Sequence, residues 1–349
     1  MLAPLLIWSV VALVGTAVVW WGSGLLETSS ERLAAHYNLP DIVQGAVVVA
    51  VGSSFPELST TVLSTLIHGE FELGVAAIVG SALFNILIIP ALAGLVSREP
   101  LTANRDLVYK EAQFYLIAVS VLLLTFSFAA IYNAVPNGGG LIQGELTRGL
   151  ALLPVAVYGL YIFVQYQDTM EHPPSEAVSE VRPGREWARL AVSLVVILVG
   201  VEALVRSAIN FGDLLGTPSF LWGITVVAAG TSVPDAFVSV RAARDGRAVT
   251  SLANVLGSNI FDLLICIPAG VLIAGAAVVN YSVAAPMMAV LTVATIALFL
   301  VMRTHLILSR VESVGLLVLY VGFVIWMGLE NFALMDGVPG LPPDSRSGH

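Results

Sequence analysis

The 349-residue chain is 57% hydrophobic and 11% charged, with a net charge of −9 and a mean hydropathy of +0.91. A soluble domain carries about 25% charged residues, so this chain lacks the surface it would need in water. The lone Cys266 excludes an internal disulfide and a multi-cysteine metal centre, and nothing in the composition points to a nucleic-acid partner.

Residues 2–26, 73–97, 112–144 and 149–167 contain no Asp, Glu, Lys or Arg, and roughly 20 such residues cross a bilayer as a helix. In chain order the apolar runs predict about ten spans: 3–26, 42–67, 73–96, 106–131, 148–166, 187–211, 219–243, 249–274, 279–302 and 309–333. The first run has no basic flank before it and suits a spanning helix better than a cleaved leader. The stretch 134–147, with Val135-Pro136-Asn137-Gly138-Gly139-Gly140, reads as a loop. The chain divides into a first unit at 1–166, a charged, Pro-containing cytoplasmic linker at 167–186, a second unit at 187–334 and a flexible tail at 335–349.

Ten spans sort the basic residues by side. Arg32, Arg98, Arg105, Lys110, Arg182, Arg185, Arg189, Arg241, Arg244, Arg247, Arg303 and Arg310 fall on one side, and Arg148, Arg206 and Arg346 on the other. The positive-inside rule makes the first set cytoplasmic and puts both termini outside, as in a multi-pass protein of the cell membrane.

The chain also contains itself twice. Gly52-Ser53-Ser54-Phe55-Pro56-Glu57 returns 178 residues later as Gly230-Thr231-Ser232-Val233-Pro234-Asp235. Gly80-Ser81-Ala82-Leu83-Phe84-Asn85 returns 177 residues later as Gly257-Ser258-Asn259-Ile260-Phe261-Asp262, and Gly22 and Gly200 begin a weaker match. Five spans per copy is an odd number, so the second copy enters the membrane inverted. Inverted repeats place a substrate site at mid-membrane on helices interrupted by Gly or Pro.

The motifs carry the right chemistry for such a site. A Pro inside a span frees upstream carbonyls, here those near Gly52 and Ser53 and near Gly230 and Thr231. Ser81 and Asn85 share a helix face at i and i+4, as do Ser258 and Asp262. Four helices thus offer three carboxylates (Glu57, Asp235, Asp262), the Asn85 amide, and the hydroxyls of Ser53, Ser54, Ser81, Thr231, Ser232 and Ser258. Hard cations such as Ca²⁺ and Na⁺ take this oxygen-rich set. A charged residue at mid-span costs about 2.5–3.5 kcal/mol on insertion scales. No Lys or Arg lies at that depth, so the three acids are either protonated or bound to cations. The hydroxyls taken singly are equally compatible with bonding their own helix turn or easing helix packing.

These paired motifs resemble the α-repeats of the cation/Ca²⁺ exchanger superfamily, over roughly 22–96 and 200–274. Within it the chain looks most like the K⁺-dependent Na⁺/Ca²⁺ exchanger branch, in Ile78 to Leu87, in Ser97-Arg98-Glu99, in Pro234-Asp235 and in Gly257 to Asp262. The resemblance implies an all-α polytopic protein of two inverted five-helix repeats that exchanges Ca²⁺ against Na⁺ by alternating access. It makes Glu57 and Asp235 the Ca²⁺ carboxylates, aided by carbonyls at Ser53 and Thr231. It assigns Ser54, Ser81, Ser232 and Ser258, with the carbonyls of Ala50 and Ala228, to flanking Na⁺ positions, and Asn85 and Asp262 to the remaining pair.

An acid at 262 is what the K⁺-dependent branch uses. It also occurs in prokaryotic members that look K⁺-independent, so K⁺ coupling stays open. Ser53 replaces the branch's usual Thr, and Ala82 stands where the second copy has Asn259. The large regulatory loop of the family is missing between the halves, so no Ca²⁺-sensor domain is expected, nor any cofactor beyond the transported ions.

Charge counting permits several couplings. Three Na⁺ neutralise three carboxylates, as does Ca²⁺ with K⁺, or Ca²⁺ with a proton on Asp262 or Asp235. Ca²⁺/H⁺ exchange is therefore the nearest rival, disfavoured by the hydroxyl-rich flanks. An intramembrane aspartyl protease would need two proton-sharing aspartates but neither duplicated Gly-Ser motifs nor Glu57. A passive channel sits poorly with one mid-membrane cluster in an inverted repeat. Elsewhere, Glu202 and Arg206 suit an ion pair at the outer interface, and His68 a solvated loop position beside Glu70 and Glu72. Arg241, Arg244 and Arg247 follow the topology, and Trp20, Trp21 and Trp222 suit either interfacial anchoring or packing.

Overall fold

The computed structural model describes residues 2–37, 50–97, 101–105, 107–136, 140–169, 182–303, 306–332, 334–335, 337–339 and 341. A chain in hydrocarbon must satisfy its own N–H and C=O groups, so apolar runs of spanning length fold as helices. In order these are α1 (Leu2–His36), α2 (Ala50–Ser53, then Phe55–Leu66), α3 (Phe71–Val96), α4 (Val108–Tyr132) and α5 (Arg148–Thr169). The second half supplies α6 (Pro183–Leu215), α7 (Ser219–Arg244), α8 (Ala248–Ala274), α9 (Tyr281–Arg303) and α10 (Arg310–Asn331). Among the described residues nine of these are long and apolar enough to cross a membrane. The tenth, α2, is described only from Ala50, and the start of its expected span lies outside the described residues. Arg98, Glu99, Pro173, Pro174 and Arg346 also lie outside them.

Local signals end the helices where they should. Gly216 adopts a left-handed conformation (φ 64°) that closes α6, a backbone region glycine enters without Cβ strain. Ser309 and Glu312 form a reciprocal capping box that starts α10. Two sequence expectations need correction. Helix α1 runs ten residues past 26, through Glu27, Glu31 and Arg32, whose charges end the apolar run but not the helix. The stretch 134–147 is not all loop: β2 (Gln143–Thr147) pairs antiparallel with β3 (Ala276–Asn280). A shorter ladder joins β1 (Leu101–Thr102) to β4 (Ile307–Leu308).

Both ladders bear on topology. Strands can pair only if their loops emerge on the same side, so an even number of spans must separate them. Four helices, α5 to α8, separate β2 from β3, and six, α4 to α9, separate β1 from β4. The alternation fits two five-helix halves of opposite orientation.

Burial identifies the central helices. The most apolar window of α3 is 83% buried and that of α8 72%, against 17% for α1. The outward face of α1, with Leu6, Leu13 and Val14 exposed, is a lipid face; in water it would be an aggregation surface. Helices α1 and α6 lie along each other and close-pack through glycine: a Cβ on Gly200 would meet Val19 and the Gly15 carbonyl. Their charged ends are tied by Glu186, which accepts from Arg32 (3.3 Å) and Arg189 (2.8 Å). Gly80 lets α3 approach α7 so closely that a Cβ would collide with the Ile224 carbonyl and Ala228.

Candidate cation site

The four motif helices, α2, α3, α7 and α8, converge at the centre of the molecule. Three of them are irregular, while α3 runs unbroken through its motif. Helix α2 breaks at Ser54 (φ −93°, ψ 10°) and restarts with Pro56 in its first turn. Helix α7 is not broken at Pro234, as its motif had suggested; the irregularity lies upstream, as a π-turn at Gly223–Val227. Helix α8 carries its own π-turn at Asp262–Cys266. The proline still deprives the Gly230 carbonyl of its usual N–H, yet the helix runs on through it.

Glu57 and Asp235 are each 1% exposed, and Asp262 and Asn85 fully buried. Their surroundings obey the pseudo-symmetry of the repeat. In each half a serine from the third helix of the repeat meets the acid of the second: Ser81 Oγ donates to Glu57 Oε1 at 3.3 Å, and Ser258 faces Asp235. Across the halves, Thr231 faces Glu57 and Ser53 faces Asp235. Asn85 Nδ2 donates to Asp235 Oδ2 at 3.2 Å, and its counterpart Asp262 sits near Glu57 and beside Ser54. The Ser81 and Ser232 hydroxyls share a hydrogen bond of 2.7 Å. All the side chains expected at the site are therefore brought together, except that nothing is described of the Ala50 side chain, only its helical backbone. The Ala228 carbonyl is engaged by its own turn, accepting from Thr231 Oγ1 at 3.3 Å.

The chemistry that remains unsatisfied is that of an acceptor cage. Among the described residues, Glu57 Oε2, Asp235 Oδ1, Asp262 Oδ2, Asn85 Oδ1 and Ser54 Oγ are buried without a hydrogen-bond partner. None of the three acids pairs with a basic side chain among the described residues. Buried oxygens normally find donors, so five orphaned ones around one centre fit a group that only accepts electron pairs. No trio of acid, His or Cys side chains among the described residues closes on one point. A cation here would be held by a mixed set of carboxylate, amide, hydroxyl and carbonyl oxygens, which is the donor set of hard cations.

Three residues at this centre escaped the motif reading as participants. Asn259 bridges α8 to α3 and α4, Tyr115 on α4 accepts from it at 3.3 Å, and Cys266 donates to Asp262 Oδ1 at 3.6 Å. The inequality of Ala82 and Asn259 between the repeats was the one signal that pointed to the first. Outside the centre, His68 is not a solvated loop residue: its Nε2 lies 3.1 Å from Glu202, which also accepts from Arg206 at 2.6 Å. Trp222 donates to Thr217 and is packed against Phe211, whereas Trp20 meets Phe237 at the edge of a cavity. That cavity, of about 800 Å³, runs from Glu27, Glu31 and Arg247 to Pro234 and Ser239, next to Asp235.

Comparison with known proteins identifies the family of the chain. The family model described as sodium/calcium exchanger protein matches residues 7–167 and 186–329. An uncharacterized membrane protein of Methanocaldococcus jannaschii is 28% identical over 88% of this chain and 94% of its own length. The sodium/calcium exchanger MaX1 of Methanosarcina acetivorans is 25% identical over 90% of this chain and 97% of its own. The human sodium/potassium/calcium exchanger 5 is 25% identical over 68% and 64%. A solved structure of the sodium-calcium exchanger NCX_Mj, soaked with Na⁺ and Sr²⁺, superposes with a TM-score of 0.62 at 24% identity, covering 93% of this chain and 99% of that one. With two matched segments that take in nearly all of both repeats, the chain belongs to the sodium/calcium exchanger protein family.

Proposed function

We propose that this protein is a secondary antiporter that moves Ca²⁺ against Na⁺ by alternating access, with Glu57 and Asp235 as the Ca²⁺ carboxylates. The observation that carries the reading is the set of buried oxygens contributed by both repeats that, among the described residues, have neither a hydrogen-bond partner nor a basic side chain to neutralise them. Ser53 and Thr231 complete the Ca²⁺ position. Ser54, Ser81, Ser232 and Ser258, with backbone at Ala50 and Ala228, flank it as Na⁺ ligands. The first repeat is 1–166 and the second 187–334, joined by the linker 167–186. The protein acts in the cell membrane with both termini outside, and the cavity beside Pro234 and Glu27 is the ions' approach from the arginine-rich side. The relative MaX1, by name a sodium/calcium exchanger, supports the ion pair.

A second reading, K⁺ co-transport with Ca²⁺, is favoured by one observation: Asp262 adds a third carboxylate where the first repeat has Asn85, and Ca²⁺ with K⁺ would neutralise all three. The human relative that shares this reading by name is a sodium/potassium/calcium exchanger.

Proteoliposomes separate these and the Ca²⁺/H⁺ alternative. Uptake of labelled Ca²⁺ driven by an outward Na⁺ gradient is the expected result. Uptake that ignores Na⁺ and follows a proton gradient contradicts it, and dependence on K⁺ in the Ca²⁺ compartment establishes the second reading.

A further inference from the structure

Asn85 and Asp262 occupy matching places in the two repeats, but a carboxylate presents an oxygen whichever way it turns and an amide does not. For Asn85 to be a cation ligand, its Oδ1 must face the ions and its Nδ2 must face away. The neighbouring side chains decide which.

The chain of constraints begins at Asn259, which is fully buried on α8. Its Nδ2 lies 3.1 Å from the backbone carbonyl of Ala82. A carbonyl can only accept, so this end of the Asn259 amide is the nitrogen whatever else surrounds it. Its second contact at that end, with the Tyr115 hydroxyl at 3.3 Å, agrees. The Asn259 Oδ1 must then point to Asn85, where it lies 3.0 Å from the Asn85 Nδ2. An oxygen there requires a donor, so Asn85 turns its nitrogen toward Asn259 and Asp235 together. The Asn85 Oδ1 is left buried and without a partner.

The repeat explains why only one such asparagine exists. Ala82 is the counterpart of Asn259, and the Asn259 side chain touches the backbone of its own counterpart. The pseudo-two-fold axis therefore passes between them, and two asparagines would compete for one space; Ala82 is itself fully buried. The second repeat spends its axial position on orienting Asn85, while Asp262 needs no such help.

We infer that Asn259, anchored by the Ala82 carbonyl and Tyr115, is a positioning residue that locks the Asn85 amide with its oxygen toward the transported cations. The inference rests on the site proposed above and adds a residue that acts through Asn85 without touching the ions.

The test is a double-mutant cycle on transport in proteoliposomes, reading half-saturating Ca²⁺ and Na⁺ separately from maximal rate. Asn259→Ala is expected to raise a half-saturating concentration about 10-fold, as loss of an outer-shell partner does at metal sites. In an Asn85→Ala background the same change is expected to add less than about 2-fold, because the residue through which it acts is gone. Tyr115→Phe, which keeps the ring and removes one anchor, moves the constant in the same direction by less. It carries the test should Asn259→Ala not fold. Equal effects of Asn259→Ala in both backgrounds, or a lowered melting temperature with unchanged constants, overturn the inference. If Asn85→Ala alone leaves both constants unchanged while Glu57→Gln abolishes transport, Asn85 is no ligand and the inference falls with it, the carboxylate site standing. If Glu57→Gln too leaves transport intact, the site itself is wrong and the inference falls with it.

Discussion

At the residue scale the question is what each acid contributes. Glu57 and Asp235 are matched by the repeat, each with a serine of its own half and a hydroxyl of the other around it. Removing either charge leaves a Ca²⁺ position with too little negative charge in a buried place, where carboxylate count sets affinity. Glu57→Gln or Asp235→Asn is expected to lower Ca²⁺ transport by at least about 100-fold, beyond the loss typical of outer-shell changes. Asp262→Asn restores symmetry with Asn85 and lowers the site's charge to what one Ca²⁺ neutralises. It is expected to shift half-saturating Ca²⁺ by less than about 10-fold while abolishing dependence on K⁺ or Na⁺, measured by titrating each ion in the same assay. These acids were legible in the sequence because a carboxylate in an apolar run is an anomaly along one dimension. Asn259, Tyr115 and the His68–Glu202 pair were not, because each is defined by a neighbour more than a hundred residues away.

At the element scale, the irregular turns belong to the same design as the packing around them. The sequence placed breaks at both prolines, yet only α2 breaks; α7 keeps its helix at Pro234 and widens about two to three turns earlier. The reason is packing. Gly80 of α3 lies against the Ile224 carbonyl inside that wide turn, so the turn has a neighbour shaped to receive it. Gly80→Leu is therefore expected to cost about 1–3 kcal/mol by overpacking, read as a lower thermal midpoint in detergent. Gly24→Ala, where a Cβ would meet nothing, is expected to leave the midpoint unchanged. A hydropathy profile cannot separate these two glycines, since neither carries a side chain to count.

At the scale of the whole molecule, span number, inversion and the four converging helices were legible because hydrophobicity and internal repetition survive without coordinates. The interloop ladders were not: β2 and β3 are short, polar-flanked and distant in sequence. They make the topology testable. In a Cys266→Ser background, a membrane-impermeant thiol reagent added outside intact cells is expected to label Glu145→Cys on one ladder. Thr102→Cys on the other should be labelled only after permeabilisation. The reverse pattern would invert the molecule and put both termini inside.

The central claim is that both repeats build one cation cage around Glu57, Asp235 and Asp262. A structure determined after soaking with Sr²⁺ in place of Ca²⁺ tests it most directly. An anomalous difference peak is expected between Glu57 and Asp235, at about the 2.3–2.6 Å of oxygen ligands to a Ca²⁺-like ion, and is lost in the Asp235→Asn variant. A peak elsewhere in the membrane, or an empty centre in a protein that still transports Ca²⁺, would contradict it.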